Sequence, residues 1–535
     1  MKISFIGGVR TVTGSSFLIN TDTSNILIDC GMFQGRKNLV ERNYLEALYD
    51  PEDIDAVLLT HAHIDHSGLI PKLVRGGFRG KIFATKATCD LSKLMLLDAA
   101  HIQELEARSA SMKNKRQGFS EVLPLYVVDD VTKTLPHFEP IDYETDFPVT
   151  ENIRATFRDA GHILGSAMIE LYITENGKEA KLVFSGDIGV ADQPILRDPS
   201  VISETDYLFI ESTYGNRLHK SKEDSKEEFK DVIKKTLKQK GKVIIPSFAV
   251  GRAQEIIYYL AEFYREGIIK DIPIFVDSPM SASATDIMKN NPECFDPETR
   301  DLLMKGSPLF EIPTLTFTRS VEESRAINTL EGSAIIISAS GMCDAGRIKH
   351  HLRHNLWRPE TSVIFVGFQA EGTLGRLIVS GAEEVKIFGE EIKVNAKIYT
   401  IGGLSAHADR EELLTWASHF RAKPPMVFVI HGEERVSEAF ASGLKDELNF
   451  NAYVPSWGEV VELHDERKFT TLGIKEIGDK VVSRGSRFTK DLAMIKGSIE
   501  KLESGDTPIN EELLYEKIKR IKRLLSEIET HKQGQ

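Results

Sequence analysis

The sequence predicts an α/β chain in which a doubly wound parallel domain interrupts a domain of short strands, with a helical extension after both. Three observations carry this. The first 210 or so residues are short apolar runs broken by turn residues. Between about 212 and 396, continuous Ile, Val and Phe runs alternate with helical spacing, and after about 397 the short-strand style returns. At 535 residues the chain exceeds one ordinary core, so two domains or one domain with a large insertion are expected.

Taken in order, "KISFIGG" and "SSFLINTDTSNILIDCG" read as strands, the second pair joined by the "TDTSN" turn. "DAVLLTHAH" reads as a buried strand running into a loop. The stretch from Cys89 to Glu106 has apolar residues at helical spacing, and strands resume at "ATFRDAGH", "AMIELYI", "AKLVFSGD" and "YLFIESTYG". In the middle region "GKVIIPSFAV", "IPIFVDSPM", "SAIIISASGM" and "SVIFVGFQAEG" are unalternated runs ending in small-residue loops. That is the pattern of parallel strands buried on both faces. The style then changes back in "KIYTIGGLSAHAD" and "PPMVFVIHGEE". The division expected is 1–211 and 397–466 for the interrupted domain, 212–396 for the insertion and 467–535 for the extension. In that extension Leu492, Ile495, Ile499 and Leu502, then Leu514, Ile518, Ile521, Leu525 and Ile528, fall on helical seams that suit an αα-hairpin or a dimer contact. The basic run "KIKRIKR" at 517–523 could touch RNA, but its apolar residues fall on that seam, which favours a solvated face.

Composition sets limits. Hydrophobic content of 41% and charged content of 27% are those of a globular chain, and no stretch of about 18 apolar residues offers a membrane span. The N-terminus enters strand-like alternation rather than a signal peptide's core, so no membrane association and a cytoplasmic location are expected. Four scattered cysteines without a CxxC pair argue against a disulfide framework or a thiolate zinc site. A net charge of −13 leaves no global attraction for nucleic acid, so a polyanion would have to be held by local cations or metal ions.

"LLTHAHIDHSGLI" at 58–70 then stands out, with His61, His63, Asp65 and His66 crowded at a strand end. A polar turn explains one or two of these residues. Two borderline-soft dications sharing a carboxylate explain all four, because zinc takes imidazole nitrogen and carboxylate oxygen readily. Further ligands should stand at other strand ends, as do His162 in "DAGHILGS", Asp187 in "VFSGDIG" and His431 in "FVIHGEE". One such histidine alone would read as a core residue with its hydrogen bonds satisfied; the ordered set does not.

This ordered set resembles the metallo-β-lactamase superfamily, with its HxHxDH motif followed by a distant His, an Asp and a final His. The resemblance implies an αββα sandwich and two Zn2+ per chain, with His61, His63 and His162 on one, Asp65, His66 and His431 on the other, and Asp187 bridging. Asp29, closing "NILID", matches the family's early Asp and would orient ligands by hydrogen bonding. The insertion is similar to that of the β-CASP group, nucleases that include the endonuclease subunit of the eukaryotic cleavage and polyadenylation machinery and its prokaryotic relatives. Glu211 in "LFIESTYG", His407 in "GGLSAHAD" and His431 match its motifs A, B and C, and the likeness covers about residues 1–465.

What the resemblance implies is a zinc-dependent ribonuclease that leaves 5′-phosphate and 3′-hydroxyl ends in RNA processing or decay. His407 would be the general acid, Glu211 its partner, and Asp65 and Asp187 would complete the catalytic set. His at motif C favours RNA over DNA, and "SAHAD" favours internal cutting over 5′–3′ exonuclease action. With its motifs starting so near residue 1, the chain is expected to begin at the catalytic domain, without the N-terminal RNA-binding domains of one archaeal branch. Two other readings stay open. A small-molecule (thioester-type) hydrolase leaves the insertion unexplained, and a non-catalytic RNA-binding scaffold sits badly with a complete ligand set. RNA is the expected partner, and a homodimer is compatible with the likeness. Ser340, Gly341, Arg252, Arg347, Arg376 and Ser405 are candidate RNA contacts on loops of the insertion and motif B, with intradomain ion pairs the alternative for the arginines. His350 and His354, one turn apart in "KHHLRH" with no carboxylate beside them, read as surface histidines rather than ligands.

Overall fold

The computed structural model describes residues 1–474 apart from 46, 118–120, 306–308, 368 and 371. The predicted tail helices, with the seams from Leu492 to Ile528 and the basic run at 517–523, lie outside the described residues.

Two sheets build the interrupted domain. The first runs in the order Lys468–Ile474, Glu459–His464, Lys2–Gly7, Ser16–Asn20, Asn25–Ile28, Ala56–Leu58, Lys81–Thr85 and Phe138–Ile141. The second runs Asn451–Tyr453, Met426–Val429, Tyr207–Ile210, Lys178–Phe184, Ala167–Glu175, Ile153–Asp159 and Asp146–Pro148. Side chains alternate across each sheet as the strand period of two requires. Phe17 and Ile19 point into the core between the sheets, while Leu18 joins Leu27, Ile70 and Leu73 under the outer helices. On the second sheet Phe184, Phe209 and Phe428 are cross-strand neighbours facing that same core. Their rings stack at 4.1 and 5.0 Å between centroids. Leu208, Val427 and Val429 face outward against Leu413, Phe440 and Leu444 of the helices Arg410–Ala417 and Glu434–Leu448. The result is the αββα sandwich.

The insertion is a parallel sheet ordered Leu315–Phe317, Ile274–Asp277, Ala334–Ser338, Lys242–Pro246, Ser362–Phe365 and Lys397–Thr400. Along Lys242–Pro246, Val243 and Ile245 pack with Ile256 and Leu260 of the helix Arg252–Arg265, and Ile244 packs on the other side with Ile348 and Leu352. Both faces are covered, which is why these strands show no polar alternation.

Two boundaries move. Lys397–Thr400, where the rhythm change placed the return to the sandwich, pairs in parallel with Ser362–Phe365 and completes the inserted sheet. It is an edge strand with exposed ends, so it reads like a short half-buried strand. Residues 468–474, assigned to the helical extension, form a strand antiparallel to Glu459–His464. Almost all of it is exposed, so no apolar alternation marks it in the sequence. The predicted helix at 89–106 is the middle of a longer one, Lys86–Gln117. No helix of the described residues is long and apolar enough to cross a membrane.

Candidate functional site

The site is assembled at strand ends. Asn25–Ile28 and Ala56–Leu58 pair in parallel with Ile28 opposite Leu58, so both stop together. Asp29 follows with φ 58, a left-handed conformation that aspartate tolerates better than most residues, and its N–H donates to Leu58 O at 3.0 Å. That turn aims the carboxylate at its neighbours. It accepts from Thr60 N at 2.8 Å and Thr60 Oγ1 at 2.9 Å and lies 2.7 Å from His66 Nδ1. His63 is still extended, at φ −54 and ψ 145, before the one-turn helix Ile64–Ser67 swings Asp65 and His66 round. Gly31 is required there, because a Cβ on it would stand 1.7 Å from Asp65 O.

The second sheet supplies the other half. Lys178–Phe184, Tyr207–Ile210 and Met426–Val429 are adjacent and parallel, so Asp187, Glu211 and His431 emerge side by side just past their ends. His431 also has a left-handed backbone, φ 46, with its N–H on Gly8 O at 2.6 Å. His162 follows Ile153–Asp159, and its Nδ1 lies 3.1 Å from Ala406 O.

These side chains converge. One group holds His61, His63, His162 and Asp187, and another holds Asp65, His66 and His431, with the donor atoms of each group within 4.8 Å of one another. Asp187 faces both groups. Its Oδ2 is 3.5 Å from His61 Nε2 and 3.6 Å from His162 Nε2, and its Oδ1 is 3.4 Å from His66 Nε2 and 3.0 Å from His431 Nδ1.

Burial opposes charge on all of them. It holds His61 and His162 well below the usual imidazole range and pushes His63 down to about 4. At His66 and His431 burial is outweighed by Asp187, helped by Asp29 at the first and Asp65 at the second, so both are raised. Burial is likewise outweighed at Asp65, lowered to about 2 by His431 and His66, and at Asp187, held well below the usual carboxylate range by His431, His66 and His61. Three neutral imidazoles beside two ionised carboxylates suit a cation, which needs deprotonated donors. Among the described residues the buried His66 Nε2 and His431 Nε2 make no hydrogen bond. Atoms left without such partners in a polar cluster are what metal coordination would satisfy.

Glu211 is fully buried and accepts from Ile188 N at 2.6 Å and Thr213 N at 3.1 Å. Its Oε1 is 3.3 Å from His407 Nδ1, and His407 Nδ1 is 3.9 Å from Asp187 Oδ2. Glu211 and Asp187 outweigh burial at His407 and raise its pKa. Two supporting residues escaped the sequence reading. Thr60 stands between Asp29 and the metal-binding motif. His219 places Nε2 2.9 Å from His407 O while its N–H donates to Asp409 Oδ2 at 2.8 Å. The signal for His219 was its place eight residues after Glu211, in "STYGNRLH".

The candidate RNA contacts divide. Arg252 is buried and paired with Glu255, and Arg347 binds Asp277 at 2.8 Å and Arg319 O at 2.9 Å. Both guanidinium groups thus make ion pairs inside the insertion, the alternative the sequence left open for them. Arg376 is exposed on the helix Leu374–Val379 and makes no ion pair among the described residues. Ser340 is half-buried, its Oγ donating to Ala345 O at 3.3 Å, and Gly341 is buried beside Phe248. Ser405 Oγ accepts from His407 N at 3.3 Å, within the site itself. His350 packs on Phe388, and no candidate metal group among the described residues includes it or His354.

Three family models match the chain. The metallo-beta-lactamase superfamily matches residues 9–247, the Beta-Casp domain 253–378, and the Zn-dependent metallo-hydrolase RNA specificity domain 391–455. The chain is 37% identical to Ribonuclease TTHA0252 of Thermus thermophilus over 435 residues, 81% of this chain and 94% of that protein. It is 32% identical to Transcription termination factor FttA of Methanosarcina mazei over 474 residues, 86% of this chain and 72% of that protein. A crystal structure of a protein of unknown function from Enterococcus faecalis matches with a TM-score of 0.50 at 13% identity, covering 86% of this chain and 99% of the other, a likeness of fold alone.

Proposed function

We infer, given that the chain belongs to the β-CASP group of the metallo-β-lactamase superfamily, that it is a two-zinc ribonuclease cutting RNA internally to leave 5′-phosphate and 3′-hydroxyl ends. The observation that carries this reading is Asp187, which offers one carboxylate oxygen to each of two ligand groups while the Glu211–His407 pair adjoins them. His61, His63 and His162 would hold one metal and Asp65, His66 and His431 the other. Two zinc ions bound there supply Lewis acidity toward water and a phosphate oxygen.

The remaining chemistry belongs to the chain. Asp29 accepts from Thr60 and fixes the His66 ring through Nδ1, leaving Nε2 for the metal. Glu211 takes the hydrogen bond of His407 Nδ1, so that Nε2 carries the proton delivered to the departing 3′ oxygen. His219 and Ser405 hold the backbone of that residue at both its carbonyl and its N–H. Ribonuclease TTHA0252 supports RNA as the substrate, as does the RNA specificity domain that matches 391–455.

The test is a gel of RNA labelled at either end, incubated with zinc-loaded protein and with the His407→Ala variant. Internal products from both labels with 5′-phosphate ends, and their loss by roughly a hundredfold or more in the variant at unchanged zinc content, are expected. Mononucleotides released from the 5′ label alone would show 5′–3′ exonuclease action instead, and unchanged cleavage by the variant would remove His407 from the mechanism.

A further inference from the structure

The strand Lys242–Pro246 is central in the inserted sheet, between Ala334–Ser338 and Ser362–Phe365. The loops leaving these three strands lie together. Gln369 Nε2 donates to Gly341 O at 3.0 Å, tying the third loop to the second. Phe248, in the first loop, lies against the glycines of the other two. A Cβ on Gly341 would sit 3.1 Å from Phe248 Cδ2, and one on Gly367 would sit 4.0 Å from Cε2. Any side chain at 341 would push the ring back by a few tenths of an ångström. Three residues on, the same loop passes beside the segment that carries His162: a Cβ on Gly251 would meet Ile163 Cγ2 at 3.2 Å, and Ile163 follows His162.

Phe248 is nevertheless 44% exposed, while Ala249, Val250 and Arg252 beside it are buried. Its backbone is held by Ala253 N at 3.3 Å and by Ser247 Oγ at 3.0 Å, both donating to Phe248 O, so the exposure comes from a fixed loop. Of the other exposed rings, Trp357 has Arg358 against it and Phe388 has Lys349 and His350, whereas Tyr44 has no such partner among the described residues. Among the described residues Phe248 has neither a ring nor a cation partner. A single exposed apolar side chain is ordinary. One fixed on a glycine bed, in a loop that passes beside the neighbour of His162, has the construction of a stacking surface.

We propose that Phe248 is the platform on which an unstacked base of single-stranded RNA lies beside the scissile phosphate, an inference that rests on the ribonuclease reading. Every base has a π face, so this contact places the strand without selecting its sequence. The chain carries a net charge of −13, and Arg252 and Arg347 are already paired. Stacking therefore supplies hold that long-range attraction does not.

The test measures binding of a fluorescent single-stranded RNA by the zinc-loaded full chain in a His407→Ala background, with Phe248 changed to Tyr, Trp, Leu and Ala. Ala and Leu should weaken binding about tenfold, while Tyr and Trp stay within about twofold of Phe. A series of RNAs with one abasic nucleotide should abolish the Ala deficit at a single position near the cut. Leu binding as well as Tyr would make Phe248 a packing residue and overturn the proposal, as would a deficit that no abasic position removes. RNA bound and cut normally by Phe248→Ala sinks the stacking role alone, whereas an unsubstituted chain that neither binds nor cuts RNA sinks the ribonuclease reading with it.

Discussion

At the scale of single residues, the seven ligand candidates are fixed by their chemistry and the residues around them by geometry. His61, His63, Asp65, His66, His162, Asp187 and His431 are readable because few other residue types donate to a borderline-soft cation, and each stands past a strand end. The intradomain partners of Arg252 and Arg347 are not readable. A glycine-preceded arginine is written the same way whether it meets phosphate or a carboxylate, and Asp277 lies 70 positions from Arg347. His219 touches no ligand candidate and acts only through the backbone of His407. Changing it to Ala removes one of the bonds that set that backbone. We expect kcat on RNA to fall about tenfold or more with KM and zinc content unchanged, because small misplacements of a proton donor act on the chemical step. Steady-state kinetics beside metal analysis checks this, and an unaltered kcat would leave His219 with a merely local role.

At the scale of elements, the inserted sheet is legible because strands covered on both faces carry unbroken apolar runs, whereas the edge strands Lys397–Thr400 and Lys468–Ile474 carry no such pattern. What pins the insertion together is less visible. Asp277, at the end of Ile274–Asp277, is buried and lies 2.6 Å from His351 Nε2, 2.6 Å from Ser324 Oγ and 2.8 Å from Arg347 Nη1. Burial opposes its charge, but these bonds and that from Thr318 outweigh it and hold the carboxyl well below the usual carboxylate range. A folded-state pKa below the unfolded value of about 3.9 gives stability that is fully present above that value and fades as pH falls beneath it. Asp277→Asn should therefore destabilise the chain by about 3 kcal/mol at neutral pH, as breaking a buried pair does. The gap from the unsubstituted chain should narrow below about pH 4. Thermal melts across pH 3 to 7 decide it, and a gap constant across that range would assign the loss to packing instead.

At the scale of the whole described chain, the sandwich is built from both sides of the insertion. Met426–Val429 lies beside Tyr207–Ile210, and Glu459–His464 beside Lys2–Gly7, so neither sheet is complete until the chain has returned. The ligand set is spread in the same way, from His61 to His431, and its buried charges are compensated by one another and by Asp29 and His407 beside them. Asp65 and Asp187 are offset mainly by His66 and His431, while burial keeps His61, His63 and His162 neutral. A metal bound to the folded chain alone therefore stabilises a closure between distant segments, by about 4 kcal/mol at a thousandfold excess over the dissociation constant. Chelation should lower the melting temperature by several degrees and zinc should restore it. His431→Ala removes the ligand contributed after the insertion, so its melting temperature should respond less to zinc than that of the unsubstituted chain. Melting curves unmoved by chelation, with metal analysis confirming the loss, would show that the strand ends are held by their own hydrogen bonds, those of Asp29 and Glu211 foremost.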